Sequence, residues 1–310
     1  MSHTHAHSGV MPDPTVVNLG NGFHAYVQLD GSWGLNNAGI FVGERAVTLI
    51  DTTFTEPRGQ ALRSAVTDIT KNPITTIVNT HHHGDHTYGN SVFPESTIIG
   101  HEICREAVIA TGMETAKWFH GVEWGDIVIS PPTVTFEEKL SVYCDDTKAE
   151  LAFQGPAHST NDVTMWVKDF GLLFTGDLVF NGGTPFVVMG SVQGSIESIA
   201  RMKALDPTVI VPGHGPVCDA GVLDDMLRYF LFIQHEAKQG FDAGKEPLEI
   251  AASVDLGDFS HLTDTERLVG NLHRAYSELR GDARGVALDW DQIVDEMVIY
   301  NHGQPLRCLA

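Results

Sequence analysis

Residues 80–86, THHHGDH, hold four histidines and one aspartate and form a dense cluster of potential metal ligands. Neutral imidazole and carboxylate are the usual nitrogen and oxygen ligands of zinc-like ions. The β-branched run at residues 74–79 predicts a buried strand directly upstream, and residues 88–90 have the composition of a turn. Because several imidazoles at the end of a strand are costly to bury as packing groups, the cluster predicts a metal site.

The spacing within this cluster suggests two ions. Side chains two residues apart on an irregular turn can face the same way, so His81 and His83 can bind one ion. Asp85 and His86 then face a second ion. A solvent-exposed histidine cluster without metal is the alternative interpretation, and the specific spacing argues against it.

Three further polar residues follow apolar segments in the same manner. His158 lies in a Gly/Pro turn at residues 155–162, Asp177 follows the apolar run 172–175, and His214 lies in the turn 212–216. Each repeats one arrangement, in which a buried strand leads into a tight turn that carries a potential ligand. The carboxyl ends of strands in an α/β sheet gather such turns at one edge. Taken alone, each of these residues is equally compatible with a structural role.

The strands and helices that must position these residues follow from hydrophobic periodicity. Four strands are predicted within residues 15–51, then a helix over 58–70 that begins near Pro57, the strand 74–79, the strand 97–100 and a helix over 101–111. Residues 112–132 fit neither period and hold several large apolar side chains, which suggests a lid or the wall of a pocket.

The second half of the chain repeats the plan. It predicts five strands at 133–136, 140–143, 151–153, 163–167 and 172–175, a helix over 195–205 and a strand at 209–211. After residue 219 the pattern is helical, with segments at 222–240, 263–280 and 289–300. The order of the predicted strands and helices indicates an α/β domain with a helical extension.

Composition limits the class of protein and the kind of partner. The 310 residues are 42% hydrophobic and 19% charged, which is ordinary for a globular protein. A chain of this length buries roughly 75% of its unfolded surface and needs no metal merely to fold. Its formal net charge of −21 argues against nucleic acid and anionic membrane as partners, so we expect a small-molecule substrate.

The cysteines and the first residues of the chain bear on the cellular compartment in which the protein is expected. Cys104, Cys144, Cys218 and Cys308 are too widely spaced for a Cys-x-x-Cys motif, and few scattered cysteines suit a reducing environment. No apolar run approaches the ~20 residues of a membrane span. Residues 1–14 lack an apolar signal segment and are predicted to be flexible. We therefore expect a cytoplasmic protein.

Together, the four motifs resemble those of the metallo-β-lactamase superfamily of metal-dependent hydrolases, over about residues 15–220. The resemblance implies a four-layer αβ/βα sandwich with a two-metal site at the sheet edges. It thus implies a catalytic domain at 15–220 and a C-terminal helical extension at 221–310 packed on it.

The resemblance also implies a role for each residue of the site. His81, His83 and His158 would hold the first ion, Asp85, His86 and His214 the second, and Asp177 would bridge both. Asp51 matches an early strand-end aspartate that supports the ligands. His82 matches no ligand position.

The implied chemistry is carbonyl hydrolysis. Two divalent ions ~3.5–4 Å apart lower the pKa of a bridging water enough to supply hydroxide near neutral pH. Asp85 would orient this water and pass a proton to the leaving group. Zinc is expected, with iron or manganese as alternatives for the same nitrogen and oxygen ligands.

Asp177 narrows the choice of substrate. The commonest zinc β-lactamases have a cysteine at this position, whereas a bridging aspartate is similar to that of glyoxalase II and lactonases. We therefore expect hydrolysis of a thioester, ester or lactone rather than of a β-lactam. A non-catalytic metal-binding protein is a further alternative, and the complete ligand set argues against it.

A second alternative is cyclisation of an aromatic polyketide. Residues 81–90 and 100–102, with the helical tail, look like a group of cyclase-thioesterases from actinobacterial polyketide pathways, whose substrates are held on an acyl carrier protein. The net charge disfavours docking of an acidic carrier. The helical tail could cover the pocket or form a homodimer contact. Five aromatic residues are candidates for a pocket that takes such a substrate: Trp33, Phe119, Trp124, Phe180 and Phe186.

Overall fold

Two β-sheets lie face to face at the centre of the fold in a computed structural model that describes residues 13–310. Residues 1–12, most of the predicted flexible N-terminus, lie outside the described residues. The first sheet has seven strands in chain order: β1 (Thr15–Gly20), β2 (Phe23–Val27), β3 (Ala38–Val42), β4 (Val47–Ile50), β5 (Ile74–Val78), β6 (Thr97–His101) and β7 (Val134–Phe136). The second sheet has five strands: β8 (Lys139–Cys144), β9 (Thr147–Phe153), β10 (Val163–Val167), β11 (Leu172–Phe180) and β12 (Val209–His214).

Helices cover the outer faces of both sheets. Those of the first half are α1 (Glu56–Ile69) and α3 (Glu102–Thr111), while the short α2 (Gly84–Thr87) carries Asp85 and His86 after β5. The others are α4 (Val192–Lys203), α5 (Gly221–Asp242), α6 (Pro247–Ser253), α7 (Arg267–Leu279) and α8 (Trp290–Tyr300). Among residues 13–310, no helix has both the length and the apolar composition to span a membrane.

Strict alternation along the strands produces the layers. Phe41 and Ile50 point inward and pack with Phe174 of the second sheet, while their neighbours Ile40 and Leu49 point outward. The outward set packs against α1, and the outer face of the second sheet packs against α4, α5 and α7. This arrangement confirms the predicted four-layer αβ/βα sandwich.

Strand direction brings the polar turns to one edge. Strands β4, β5, β6 and β7 are parallel, so their carboxyl ends lie together. In the second sheet β9 and β11 are each antiparallel to β10, and β11 is parallel to β12. Strands β9, β11 and β12 therefore all end at the same edge, where the turn after β9 carries His158 and the last residue of β12 is His214.

Several predicted boundaries were wrong. The strands predicted at 151–153 and 209–211 are longer, at Thr147–Phe153 and Val209–His214, and the helix Pro247–Ser253 was not predicted. The strand predicted at 172–175 continues to Phe180, because a register shift at Gly176, whose φ is +50°, lets the chain kink without leaving the sheet. The helix predicted from residue 195 begins at Val192. Ser191 caps it by accepting a hydrogen bond from Gly194 N at 2.9 Å.

Asn37 joins the first sheet to the turn that carries His214. This buried side chain donates both amide protons, to Pro212 O at 2.9 Å and to Gly215 O at 2.7 Å. Its backbone N–H donates to Gly213 O at 2.7 Å. Three hydrogen bonds from one residue therefore fix the conformation of this turn relative to the first sheet.

We predict that Asn37→Ala lowers the free energy of unfolding of the metal-free protein by roughly 2–4 kcal/mol. The substitution leaves two buried carbonyls without a donor, and each costs about 1–3 kcal/mol. Urea denaturation followed by circular dichroism measures the change. The control is Asn72→Ala, which removes a single bond, to Gly43 O, at a half-buried site. Equal effects of the two substitutions would contradict the anchoring role of Asn37.

Candidate metal centre

All seven side chains predicted as ligands meet at this edge of the sandwich. They fall into two groups, and within each group the potential ligand atoms lie within 4.8 Å of one another. The first group, group one, is His81, His83, His158 and Asp177. The second group, group two, is Asp85, His86 and His214.

Asp177 lies between the two groups. Its Oδ2 is 3.4 Å from His158 Nε2 and 3.3 Å from His214 Nε2, while its Oδ1 is 3.0 Å from His86 Nε2. One carboxylate therefore contacts imidazoles of both groups. A carboxylate in this position could contact ions held by both groups.

The outer ring nitrogen of His81 is fixed by Thr80. The Thr80 hydroxyl donates its one proton to Asp51 Oδ2 at 2.6 Å. It therefore accepts a hydrogen bond from His81 Nδ1, 3.1 Å away. With the ring proton on Nδ1, His81 Nε2 carries an unshared lone pair that points into the site.

The Nε2 atoms of three other histidines are set in the same way, by outer acceptors that have no proton to give. The Nδ1 donors and their acceptors are His86 to Asp51 Oδ2 at 2.8 Å, His158 to Phe186 O at 2.5 Å and His214 to Gly31 O at 3.0 Å. Each of these rings therefore also presents a bare Nε2 lone pair to the site.

Lone pairs consequently face carboxylate oxygens across the site. His86 Nε2 and Asp177 Oδ1 are both buried, and neither has a hydrogen-bond partner. Burying unpaired acceptors against one another is unfavourable unless a cation or added protons lie between them. The donors and their support therefore fit divalent metal ions.

The pKa shifts support this description of the charge balance. Burial, together with the neighbouring imidazoles, holds the pKa values of His81 and His83 well below the ordinary value. Burial also opposes protonation of His86 and His214, but the charge of Asp177 and nearby carboxylates outweighs it. The pKa of His86 is raised well above its usual range, and that of His214 to about 9. Group two therefore requires positive charge, supplied by protons or by a metal ion.

Two glycines make room for polar side chains of the site, Asp177 and Thr80. A Cβ at Gly213 would overlap Asp177 Oδ1, and a Cβ at Gly176 would overlap the Thr80 hydroxyl. Gly176 also has a positive φ that favours glycine. The close approach of β11 and β12 to the histidine turn thus depends on the absence of side chains at these positions.

A buried carboxylate shapes the turn that carries His158. Asp162 accepts hydrogen bonds from Ser159 N, at 3.0 and 2.9 Å, from Ser159 Oγ at 2.6 Å and from Ala157 N at 3.2 Å. These bonds close the turn around His158. The sequence pattern did not indicate this support, although Asp162 stands only four residues after the histidine.

His82 belongs to neither group. Its Nδ1 accepts a hydrogen bond from Asn161 Nδ2 at 3.0 Å, and burial lowers its pKa to about 4. Its omission from the predicted ligands is therefore consistent with its position.

An aromatic cleft with an empty volume of about 630 Å³ opens onto the site. Four of the five aromatic residues predicted to line it do so: Trp33, Phe119, Phe180 and Phe186. Trp124 is not among the lining residues, because its ring packs against Phe54, with centroids 4.8 Å apart. Phe54 itself lines the cleft.

The helical extension contributes part of the wall. Arg267, Trp290 and Leu306 line the cleft, and Trp290 stacks on Trp118 with ring centroids 4.9 Å apart. Of the two roles considered for the tail, covering the pocket is therefore the one observed. The helical periodicity of the tail did not indicate which of its residues would face the cleft.

We predict that Asp51→Asn weakens zinc binding at group two by about 10–100-fold, the usual effect of removing an outer partner of a ligand. An amide has a single acceptor oxygen, so it cannot accept both the Thr80 N–H at the position of Oδ1 and the Thr80 hydroxyl and His86 Nδ1 at the position of Oδ2. Competition with a chromogenic chelator measures the affinity. Asp169→Asn, an exposed acid distant in sequence, is the control. Unchanged affinity in Asp51→Asn would refute the supporting role of Asp51.

Comparison with known proteins agrees with this geometry. The chain is 29% identical over 177 residues to the 2,4-dinitroanisole O-demethylase subunit alpha of Nocardioides sp. strain JS1661, covering 56% of this chain and 50% of that protein. It is 27% identical over 188 residues to a hydroxyacylglutathione hydrolase of Synechococcus sp., covering 56% of this chain and 62% of the relative. The chain thus spans between half and two thirds of these relatives.

A solved structure and a sequence family complete the comparison. The metallo-beta-lactamase from Pontibacter korlensis superposes with a TM-score of 0.58 at 20% identity, over 70% of this chain and 99% of that one, and so shares the fold. The sequence model of the Metallo-beta-lactamase superfamily matches residues 31–214, which hold all seven side chains of the two groups. This chain therefore belongs to the metallo-beta-lactamase superfamily.

Proposed function

We propose that the protein is a dinuclear metal-dependent hydrolase of a thioester, ester or lactone. His81, His83 and His158 would hold one ion and Asp85, His86 and His214 the other, with Asp177 shared. The observation that carries the proposal is the convergence of imidazole nitrogens of both groups on the Asp177 carboxylate, where buried His86 Nε2 and Asp177 Oδ1 find no hydrogen-bond partner among residues 13–310.

The donor set suits a hard or borderline divalent ion, and we propose zinc, with iron or manganese as alternatives. When bound, such a pair of ions lowers the pKa of a shared water and polarises a substrate carbonyl. The side chains themselves hold the ions apart from bulk solvent, since His81, His86, His158 and His214 are each at most 3% exposed.

Asp85 is the group that we assign to proton transfer. Its carboxylate lines the cleft, its side chain is 16% exposed, and its Oδ2 lies 3.3 Å from His214 Nε2. It would accept a proton from the attacking water and pass it to the departing sulfur or oxygen. A carbon–oxygen bond forms and the bond to the leaving group breaks, which yields a carboxylic acid and a thiol or alcohol.

The cleft supports an aromatic acyl substrate. Aromatic rings form much of its wall, and a few polar groups of the site lie at one end, as is usual for small-molecule sites. Thioester hydrolysis is favoured by the likeness to a hydroxyacylglutathione hydrolase. The other relative's name, 2,4-dinitroanisole O-demethylase, also indicates an aromatic substrate.

Ring closure of an aromatic polyketide is a second candidate, and the same aromatic wall favours it. The cleft would fold a chain of alternating carbonyls against Trp33, Phe119 and Phe186 before aldol closure. The acidic chain disfavours an acidic carrier protein, so we propose a free small molecule as substrate, with neither nucleic acid nor membrane as partner. A homodimer remains a prediction from the sequence.

A matched substrate panel tests the proposal. We expect a benzoyl thioester to be hydrolysed with a kcat/KM at least tenfold above that of the acetyl thioester of the same thiol, since each buried carbon group contributes about 1–3 kcal/mol. The panel also holds an aryl lactone, 2,4-dinitroanisole, a poly-β-ketone thioester and a β-lactam. Turnover of the β-lactam alone, or of none of these by metal-loaded protein, would overturn the proposal.

We predict that Asp85→Asn lowers kcat roughly 10²–10⁴-fold, the usual contribution of a general acid–base group. The amide keeps an oxygen toward the second ion but accepts no proton. Metal content is measured alongside kcat, so that loss of ions is separated from loss of proton transfer. Asp126→Asn, an exposed acid, serves as the control. Full activity in Asp85→Asn would remove Asp85 from the mechanism.

A further inference from the structure

One face of α7 carries four polar side chains that point at the same stretch of chain. Arg267, Asn271, Arg274 and Glu278 are spaced by four, three and four residues, so they lie along one side of the helix. Each of them binds main-chain atoms of residues 184–193, which we call the supporting segment. A helix of the C-terminal extension therefore binds main chain of the β-sandwich portion.

The first two side chains bind the start of the supporting segment. Arg267 Nη1 donates to Thr184 O at 3.0 Å, and Asn271 Nδ2 donates to Pro185 O at 2.7 Å. Asn271 Oδ1 accepts from Val187 N at 3.0 Å. The side-chain amide of Asn271 therefore donates to the carbonyl before residue 186 and accepts from the N–H after it.

The other two side chains bind the end of the segment. Arg274 donates from Nε and Nη2 to Val188 O, at 3.0 and 2.5 Å. Glu278 accepts from Val192 N at 2.7 Å and from Gln193 N at 3.2 Å, at the start of α4. Arg274 and Asn271 are fully buried, so each bond forms away from competing water.

The supporting segment in turn holds group one. Phe186 O accepts the Nδ1 proton of His158, and Met189 Sδ lies 3.1 Å from His83 Nε2. Ser191 N donates to Ala157 O at 2.7 Å, directly beside His158. The outer contacts of His83 and His158 therefore both come from the segment that α7 binds.

Group two is supported from elsewhere. The outer nitrogen of His86 binds Asp51, and that of His214 binds Gly31 O. Neither acceptor belongs to the supporting segment. Displacement of the segment should consequently affect one group and spare the other.

We propose that Asn271 and Arg274 are positioning residues through which the C-terminal extension sets the metal affinity of group one. This inference rests on the proposed metal assignment. Asn271 fixes the peptide units on both sides of Phe186 and thereby aims the carbonyl that orients His158. The extension is then a functional part of the metal centre as well as a wall of the cleft.

Asn271→Ala and Tyr229→Phe form a matched pair. Tyr229 OH accepts a hydrogen bond from Asn271 Nδ2 at 3.0 Å and is buried, but its hydroxyl has no bond to the supporting segment. Both substitutions remove a buried hydrogen bond beside α7. The first also frees the supporting segment, whereas the second leaves its bonds to Asn271 in place.

We expect Asn271→Ala to weaken one of two zinc-binding steps by about 10–100-fold and to leave the other unchanged. Tyr229→Phe should keep both steps. Chelator competition measures the two affinities, and the visible spectrum of the cobalt-loaded protein reports the altered site without reference to activity. Should Asn271→Ala fail to fold, Asn271→Ser keeps a hydroxyl that can donate or accept one bond without adding a buried charge, and should give a smaller loss of the same kind.

The measured zinc affinities distinguish a failure of this inference from a failure of the proposed function. Two unchanged affinities in a folded Asn271 variant, or an equal loss at both steps, would overturn the positioning role and leave the hydrolase proposal standing. An equal effect of Tyr229→Phe would also overturn it, because the loss would then follow from general destabilisation. A wild-type protein that binds none of zinc, iron and manganese would instead refute the metal assignment itself.

Discussion

At one sheet edge, unshared lone pairs of histidine nitrogens face the oxygens of the Asp177 carboxylate. The arrangement of the surrounding structure is explained by the need to hold these groups together. Four Nε2 atoms and the Asp177 carboxylate point at a common space, and each ring is locked in that orientation by an outer acceptor. Such a centre is unfavourable in the absence of positive charge. The surrounding fold holds it together through strand direction, glycines that allow close approach, and hydrogen bonds that close each turn. Metal binding would relieve this repulsion, which explains why so many polar groups are buried in one place.

The sequence predicted the inner side chains because their spacing is local. His81 to His86 form one turn, and the other three potential ligands each follow an apolar strand, a pattern that needs no tertiary information. The layers were implied by the family resemblance, and in the structure strict alternation produces them, as in Ile40 and Phe41. Both the fold prediction and the superfamily resemblance are confirmed, whereas the role of each ligand remains a proposal.

The groups that orient the histidine rings from outside could not be predicted from the sequence. Many of them are main-chain atoms or lie far from the histidines along the chain. The carbonyls of Phe186 and Gly31 have no residue-type signature, and Asn271 acts on a segment more than eighty residues away in sequence. Trp124 illustrates the reverse error, since a large apolar residue in an irregular segment packs behind Phe54 as readily as it lines a cleft. Periodicity located α7 but gave no indication that its polar face binds main chain.

The central claim is that two ions lie at this edge with Asp177 between them. Anomalous diffraction at the zinc absorption edge, from crystals of the wild-type protein soaked with zinc, tests it directly. The account predicts two peaks per chain, one within His81, His83 and His158 and one within Asp85, His86 and His214. A single peak away from Asp177, or no peak at these side chains, would contradict it.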